Sequence, residues 1–141
     1  MKKILVATDG SNNSKKALLE AKKLAEALDA KLEILSVVQN LMITPYVTEQ
    51  YYNAEINESL IQSGEVILEE SLKLFDDFKG EVKTKLRKGN PGDEIIKEVE
   101  EENYDLVVMG SRGLGAFSRA MVGSVSHKVL NHVKTNVLIV K

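Results

Sequence analysis

Short, unbroken apolar runs alternating with segments of helical period constrain this chain more than any other feature. Ile4 to Ala7, Leu106 to Met109 and Val137 to Val140 are each apolar throughout. Runs so short and continuous fit strands buried on both faces of a sheet. Leu32 to Val38 is a further strand-like segment, and Val82, Thr84 and Leu86 alternate as a strand does. Between them, Ala17, Leu18, Ala21, Leu24, Ala25 and Leu28 recur at helical spacing. Ile56 to Phe78 reads as a long helix with Leu60, Ile67, Leu68, Leu72 and Phe75 as its buried stripe. Ile95, Ile96 and Val99 give the next helix its apolar face, and Ser124 to Asn131 forms the last. The order β-α-β-α-β-α-β-α-β implies a parallel sheet with helices on both faces and right-handed crossovers.

The strand Leu106 to Met109 stops at Gly110, and the stretch that follows has the spacing G-x2-G-x9-G-S over Gly110, Gly113, Gly123 and Ser124. A strand that ends in spaced glycines and restarts as a helix is one way an α/β domain builds an anion site. Backbone N–H groups converge there, and the helix start adds its positive dipole end. In such sheets ligands bind beyond the carboxyl ends of the strands, where the strand order reverses. Thr8-Asp9, Val37-Val38 and the glycine stretch all fall at that edge, and Gly89-Asn90-Pro91 is placed to join them.

Composition removes several alternatives. A chain of 141 residues fits one domain, residues 1–141, with a substantial core. The net charge is −2, with basic and acidic residues interleaved, so no general nucleic-acid surface is expected. Cysteine is absent, which excludes disulfides and thiol catalysis. No apolar run approaches the roughly 20 residues of a membrane span. The opening MKKILVATDG has too short an apolar stretch for a signal-peptide core and reads as the first strand. A cytoplasmic protein is the expectation.

Individual residues leave two readings open. Asp9 could accept from ribose hydroxyls or hold Mg²⁺, or it could cap the first helix with Ser11. Ser124 could cap its helix or donate to a phosphate, and Ser126 could reach a phosphate or fill the first helical turn. Gly115 is read as a loop glycine, and Arg112, Arg119 and Lys128 as solvated cations. His127 and His132 are five apart, which puts two metal ligands on different helix faces. Glu98, Glu100, Glu101 and Glu102 read as a solvated face and helix end. Asp76 and Asp77 show no partner pattern for acid/base work. Neither a Walker-type G-x4-G-K-[ST] nor an S-G-G-x-D-S loop is present.

The opening ILVATDGS, the closing NVLIVK and the long glycine signature resemble the universal stress protein family over nearly the whole chain. Members with that signature are generally ATP-binding, and a second group without it is not. The resemblance implies a Rossmann-like, three-layer α/β/α sandwich of the adenine nucleotide alpha hydrolase-like type, with five parallel strands. It implies ATP (or ADP or AMP) with Mg²⁺ as ligand, held as a regulatory signal. By resemblance, Ala7, Thr8 and Asp9 border the adenosine, Val37 contacts the adenine, and Met109 and Gly110 lie along the ribose. Gly113, Gly123, Ser124, Val125 and Ser126 then hold the phosphates. The resemblance also implies a homodimer through the C-terminal strand, Asn136 to Lys141. The segment Gln39 to Asn53, with Pro45, Tyr46, Tyr51 and Tyr52, is a variable excursion onto which nothing is carried. Competing readings are a slow ATPase or nucleotidyl-transferring enzyme, and an interaction module without nucleotide.

Overall fold

The computed structural model describes residues 2–39, 57–111 and 123–141. These form strands β1 (Lys3–Ala7), β2 (Lys31–Val38), β3 (Val82–Lys88), β4 (Leu106–Gly110) and β5 (Asn136–Val140). The helices are α1 (Asn12–Leu28), α2 (Asn57–Leu72), α3 (Pro91–Glu101) and α4 (Ser124–His132), with a short 3₁₀ turn at Lys73–Phe75. All strand pairs are parallel, in the order β3-β2-β1-β4-β5. The chain steps outward from β1 to β3, then returns to the other side of β1. The strand order therefore reverses between β1 and β4, and loops leaving their carboxyl ends diverge there.

Alternation along the strands divides the core into two layers. Ile4, Val6, Leu32, Ile34 and Val108 face Ala17, Leu18 and Ala21 of α1 and Leu68 of α2. Leu5, Leu35, Val107 and Met109 face Ile95 and Val99 of α3 and Val129 of α4. The result is the expected three-layer α/β/α sandwich. β1 and β4 are sealed on both faces: Ile4, Leu5, Val6, Val107 and Val108 are all fully buried. The edges differ, because Thr84 and Lys83 of β3 and Leu138 of β5 are exposed.

Small residues set the helix spacing. A Cβ at Gly64 of α2 would lie 2.5 Å from Leu86 and 2.6 Å from Val38, so the glycine lets α2 settle against β2 and β3. Two members of the expected apolar stripes are displaced outward. Leu28, next to the left-handed Asp29 that ends α1, and Leu72, where α2 tightens into the 3₁₀ turn, are both exposed.

Glu98 corrects the reading of its acidic run as a solvated face, since it is fully buried beneath β3. Lys85 of β3 donates to its carboxylate at 3.1 Å, Arg87 at 2.9 Å and the Tyr104 hydroxyl at 2.9 Å. Burial alone pushes the Glu98 carboxyl up. The hydrogen bonds from Lys85, Tyr104 and Arg87 outweigh that and hold it below the ordinary glutamate range. Burial, helped by the adjacent Glu98, drives the Tyr104 phenol well above its usual value. Asp77 forms an exposed ion pair with Lys22 of α1.

Candidate functional site

Beyond the carboxyl ends of β1, β2 and β4 lies a cleft of about 570 Å³. The first turn after β1 builds one side of it. Thr8 is buried; its hydroxyl donates to Ser14 Oγ at 3.0 Å and accepts from the Gly10 N–H. Gly10 has φ +82°, the left-handed conformation that a tight strand-to-helix turn demands. The Asp9 carboxylate accepts from the Ser11 N–H at 2.9 Å, which folds the turn back on itself. Ser11, not Asp9, is the N-cap of α1, accepting from the Ser14 N–H at 3.2 Å. Asp9 therefore braces the loop while its side chain still borders the cleft.

β4 builds the opposite side. Gly110 is the last residue of β4 rather than the first beyond it, and its φ is not left-handed. The glycine is required by approach: a Cβ would lie 2.9 Å from the backbone carbon and oxygen of Asn13. The start of α1 thus presses directly onto the end of β4. The Ser111 N–H donates to the Val140 carbonyl, and the Ser111 carbonyl accepts from the Gly123 N–H. Helix α4 starts directly after Gly123.

Gly123, not Ser124, is the N-cap of α4; its backbone is extended, and among the described residues no side chain caps the helix. Ser124 is the first helical residue and is exposed. Ser126 is buried and donates to the Gly110 carbonyl at 2.6 Å, tying α4 to β4. In this structure the hydroxyl proton of Ser126 is thus engaged within the turn. No acidic residue occupies the first turn of α4.

Of the residues singled out from sequence, Ala7, Thr8, Asp9, Val37, Met109, Gly110, Gly123, Ser124, Val125 and Ser126 line this one cleft. Gly113, Arg112, Gly115, Arg119 and most of the Gln39 to Asn53 segment lie outside the described residues. Sequence reasoning missed the contribution of α2, which supplies Leu60, Ser63 and Ile67. It also missed Ser14, Leu35, Gln39 and Ile95, whereas Pro91 had been placed near this edge. Asp9 is the one charged residue lining the cleft among those described. Lys128 turns away to pair with Asp93 at 2.5 Å.

A second hollow of about 460 Å³ lies at the amino edge of the sheet, beside the end of α1. Glu26, Asp29 and Asp77 line it against a single cation, Lys79, and α1 ends there, so its net charge and the helix dipole both disfavour an anion. No group of three or more His, Cys, Asp or Glu suited to a metal occurs among the described residues, nor any helix long and apolar enough to cross a membrane.

The universal stress protein family model matches residues 1–141. The chain belongs to the universal stress protein family. Universal stress protein YxiE of Bacillus subtilis is 36% identical over 146 residues, covering 99% of this chain and 98% of that protein. The solved hypothetical protein MJ0577 matches with TM-score 0.87 at 30% identity, covering 99% of this chain and 95% of that one. A universal stress protein solved in complex with cAMP matches with TM-score 0.73 at 26% identity, covering 99% and 97%. In this universal stress protein, the cleft just described occupies the reversal point of the shared sheet.

Proposed function

We propose that this universal stress protein binds an adenine nucleotide, ATP in its full form, in the cleft between β1 and β4, and serves as a regulatory binder. The observation that carries this reading is the uncapped start of α4 opening into that cleft. Its first N–H groups and positive dipole end favour an anion, and the lining holds no cation that could serve instead among the described residues. Apolar Ala7, Val37, Met109 and Ile95 suit a planar base and sugar. The cAMP complex of a relative supports the same ligand class.

On this reading Ala7, Thr8 and Asp9 border the adenosine, Val37 meets the base, and Met109 and Gly110 flank the ribose. Gly113, Gly123, Ser124 and Val125 hold the phosphates, with Ser126 bracing the turn beneath them. A single carboxylate fits Mg²⁺ bound mainly by phosphate oxygens and water, which is the ion's usual arrangement beside nucleotides. Asp9 would hold it directly or through water.

The remaining parts of the reading concern assembly and setting. Residues 1–141 act as one domain in the cytoplasm. β5 is an edge strand with Leu138 exposed, and pairing with β5 of a second copy would cover it under two-fold symmetry. Mass spectrometry of ligand released from gently purified protein tests the whole reading. Adenine nucleotide in the released fraction is expected. Stripped protein that shows no heat of binding with ATP, ADP or AMP would overturn it.

A further inference from the structure

Arg87 stands at the end of β3, paired in register with Val37 of the cleft. Its Nε donates to Glu94 at 3.0 Å, and its Nη1 donates to Glu98 at 2.9 Å and Glu101 at 3.1 Å. These three carboxylates stand four and three residues apart, one above another on a single face of α3. One guanidinium therefore grips the helix along two turns. Arg87 and Glu94 are mostly buried and Glu98 is wholly so; only Glu101 is exposed. Ile95, three residues before Glu98 on the same buried side of α3, and Pro91, the first residue of the helix, both line the cleft.

Ile95 and Val99 pack α3 on the centre of the sheet, whereas toward β3 it is held by these ion pairs. β3 is an edge strand whose inward face carries Lys85 and Arg87 in place of apolar side chains. The turn into α3 runs through Gly89, at φ +147°, and the Asn90 cap. α3 is thus fixed to the sheet here by charge-assisted hydrogen bonds, and Arg87 makes the ones nearest the cleft.

We propose that Arg87 is a positioning residue for nucleotide binding: by gripping Glu94, Glu98 and Glu101 it fixes the Pro91–Ile95 wall of the cleft, and so sets affinity without touching the ligand. The inference rests on the nucleotide reading given above. Lysine in its place can hold only one or two of these carboxylates, because it lacks the planar fork.

The test is calorimetric titration of AMP into stripped wild-type protein and the variants R87M, R87K, E94Q and F75L. Phe75 lies in the core layer on the other side of the sheet, far from α3, so F75L reports the effect of lost stability alone. R87M should weaken AMP by about tenfold, a size that packing networks transmit between sites, with R87K and E94Q in between. F75L should leave affinity unchanged. If R87M does not fold, R87K and E94Q carry the test, each expected to lose about threefold. Wild-type affinity in these variants, or an equal loss in F75L, overturns the role of Arg87 alone. Absence of AMP binding by the wild type overturns the nucleotide reading, and the inference with it.

Discussion

Two helices begin at the same edge of this sheet and begin differently. α3 is closed: Asn90 accepts from the Asp93 N–H at 3.1 Å, Pro91 stands at the first position, and Asp93 and Glu94 occupy the first turn. α4 is open: Gly123 offers no side chain, and no acid stands in its first turn. A helix that satisfies its own first N–H groups and dipole has nothing left for an anion. On the nucleotide reading proposed above, the difference gives α3 and α4 separate tasks: α3 serves as a wall and α4 as the binding end, although both begin at the same edge.

The largest effect should come from breaking the wall. Glu98→Ala leaves Lys85 and Arg87 facing a buried gap and should cost about 3 kcal/mol, read as a drop in the urea midpoint. The same network predicts a pH dependence. Glu94 and Glu98 both sit below the ordinary glutamate value in the folded protein, despite burial that pushes each upward, because Arg87 with Lys97 or Lys85 and Tyr104 outweighs it. Their stabilising contribution is therefore complete above the unfolded value and is lost as pH falls through the folded one. Denaturation followed from pH 7 to pH 3 should show stability falling once pH drops below about 4.5, the ordinary glutamate value. A flat profile would contradict the network.

Uncapping the wall is a milder change. Asn90→Ala should lower stability by about 1 kcal/mol while AMP affinity stays near wild type. A large loss of affinity would mean that the first N–H groups of α3, too, take part in holding the ligand. The smallest effect should come from closing the open helix. Gly123→Asp gives α4 an acidic cap and should raise stability by about 0.5 kcal/mol, seen as a small rise in Tm. A helix left open for lack of a better residue would gain in this way and lose nothing else.

Much of this architecture was legible in the sequence. The continuous runs Ile4–Ala7 and Leu106–Met109 could only be buried strands, and they became the sealed centre of the sheet. Asn90-Pro91 announced the start of α3 through chemistry local to two residues. What stayed hidden depended on contacts between distant segments. Glu98 reads as one more acid in a charged run until β3 brings Lys85 and Arg87 over it. Gly110 looks like a turn residue until the start of α1 is seen resting on it. Ser124 looks like a cap by type, yet it is already the first helical residue, and the cap position falls on Gly123, which has no side chain to cap with. The share of α2 in the cleft had no local signal, because only the depth of its packing at Gly64 brings Leu60, Ser63 and Ile67 to that edge.

The central claim is that the uncapped start of α4 binds the phosphate of an adenine nucleotide. Titrating AMP and adenosine into stripped wild-type protein and into Gly123→Asp tests it most directly. The wild type should bind AMP more tightly than adenosine by about tenfold or more, the worth of charge-assisted hydrogen bonds to the phosphate. In Gly123→Asp that preference should vanish while adenosine still binds. Equal affinity of the wild type for the two ligands, or an AMP preference that survives the new carboxylate, would contradict the account.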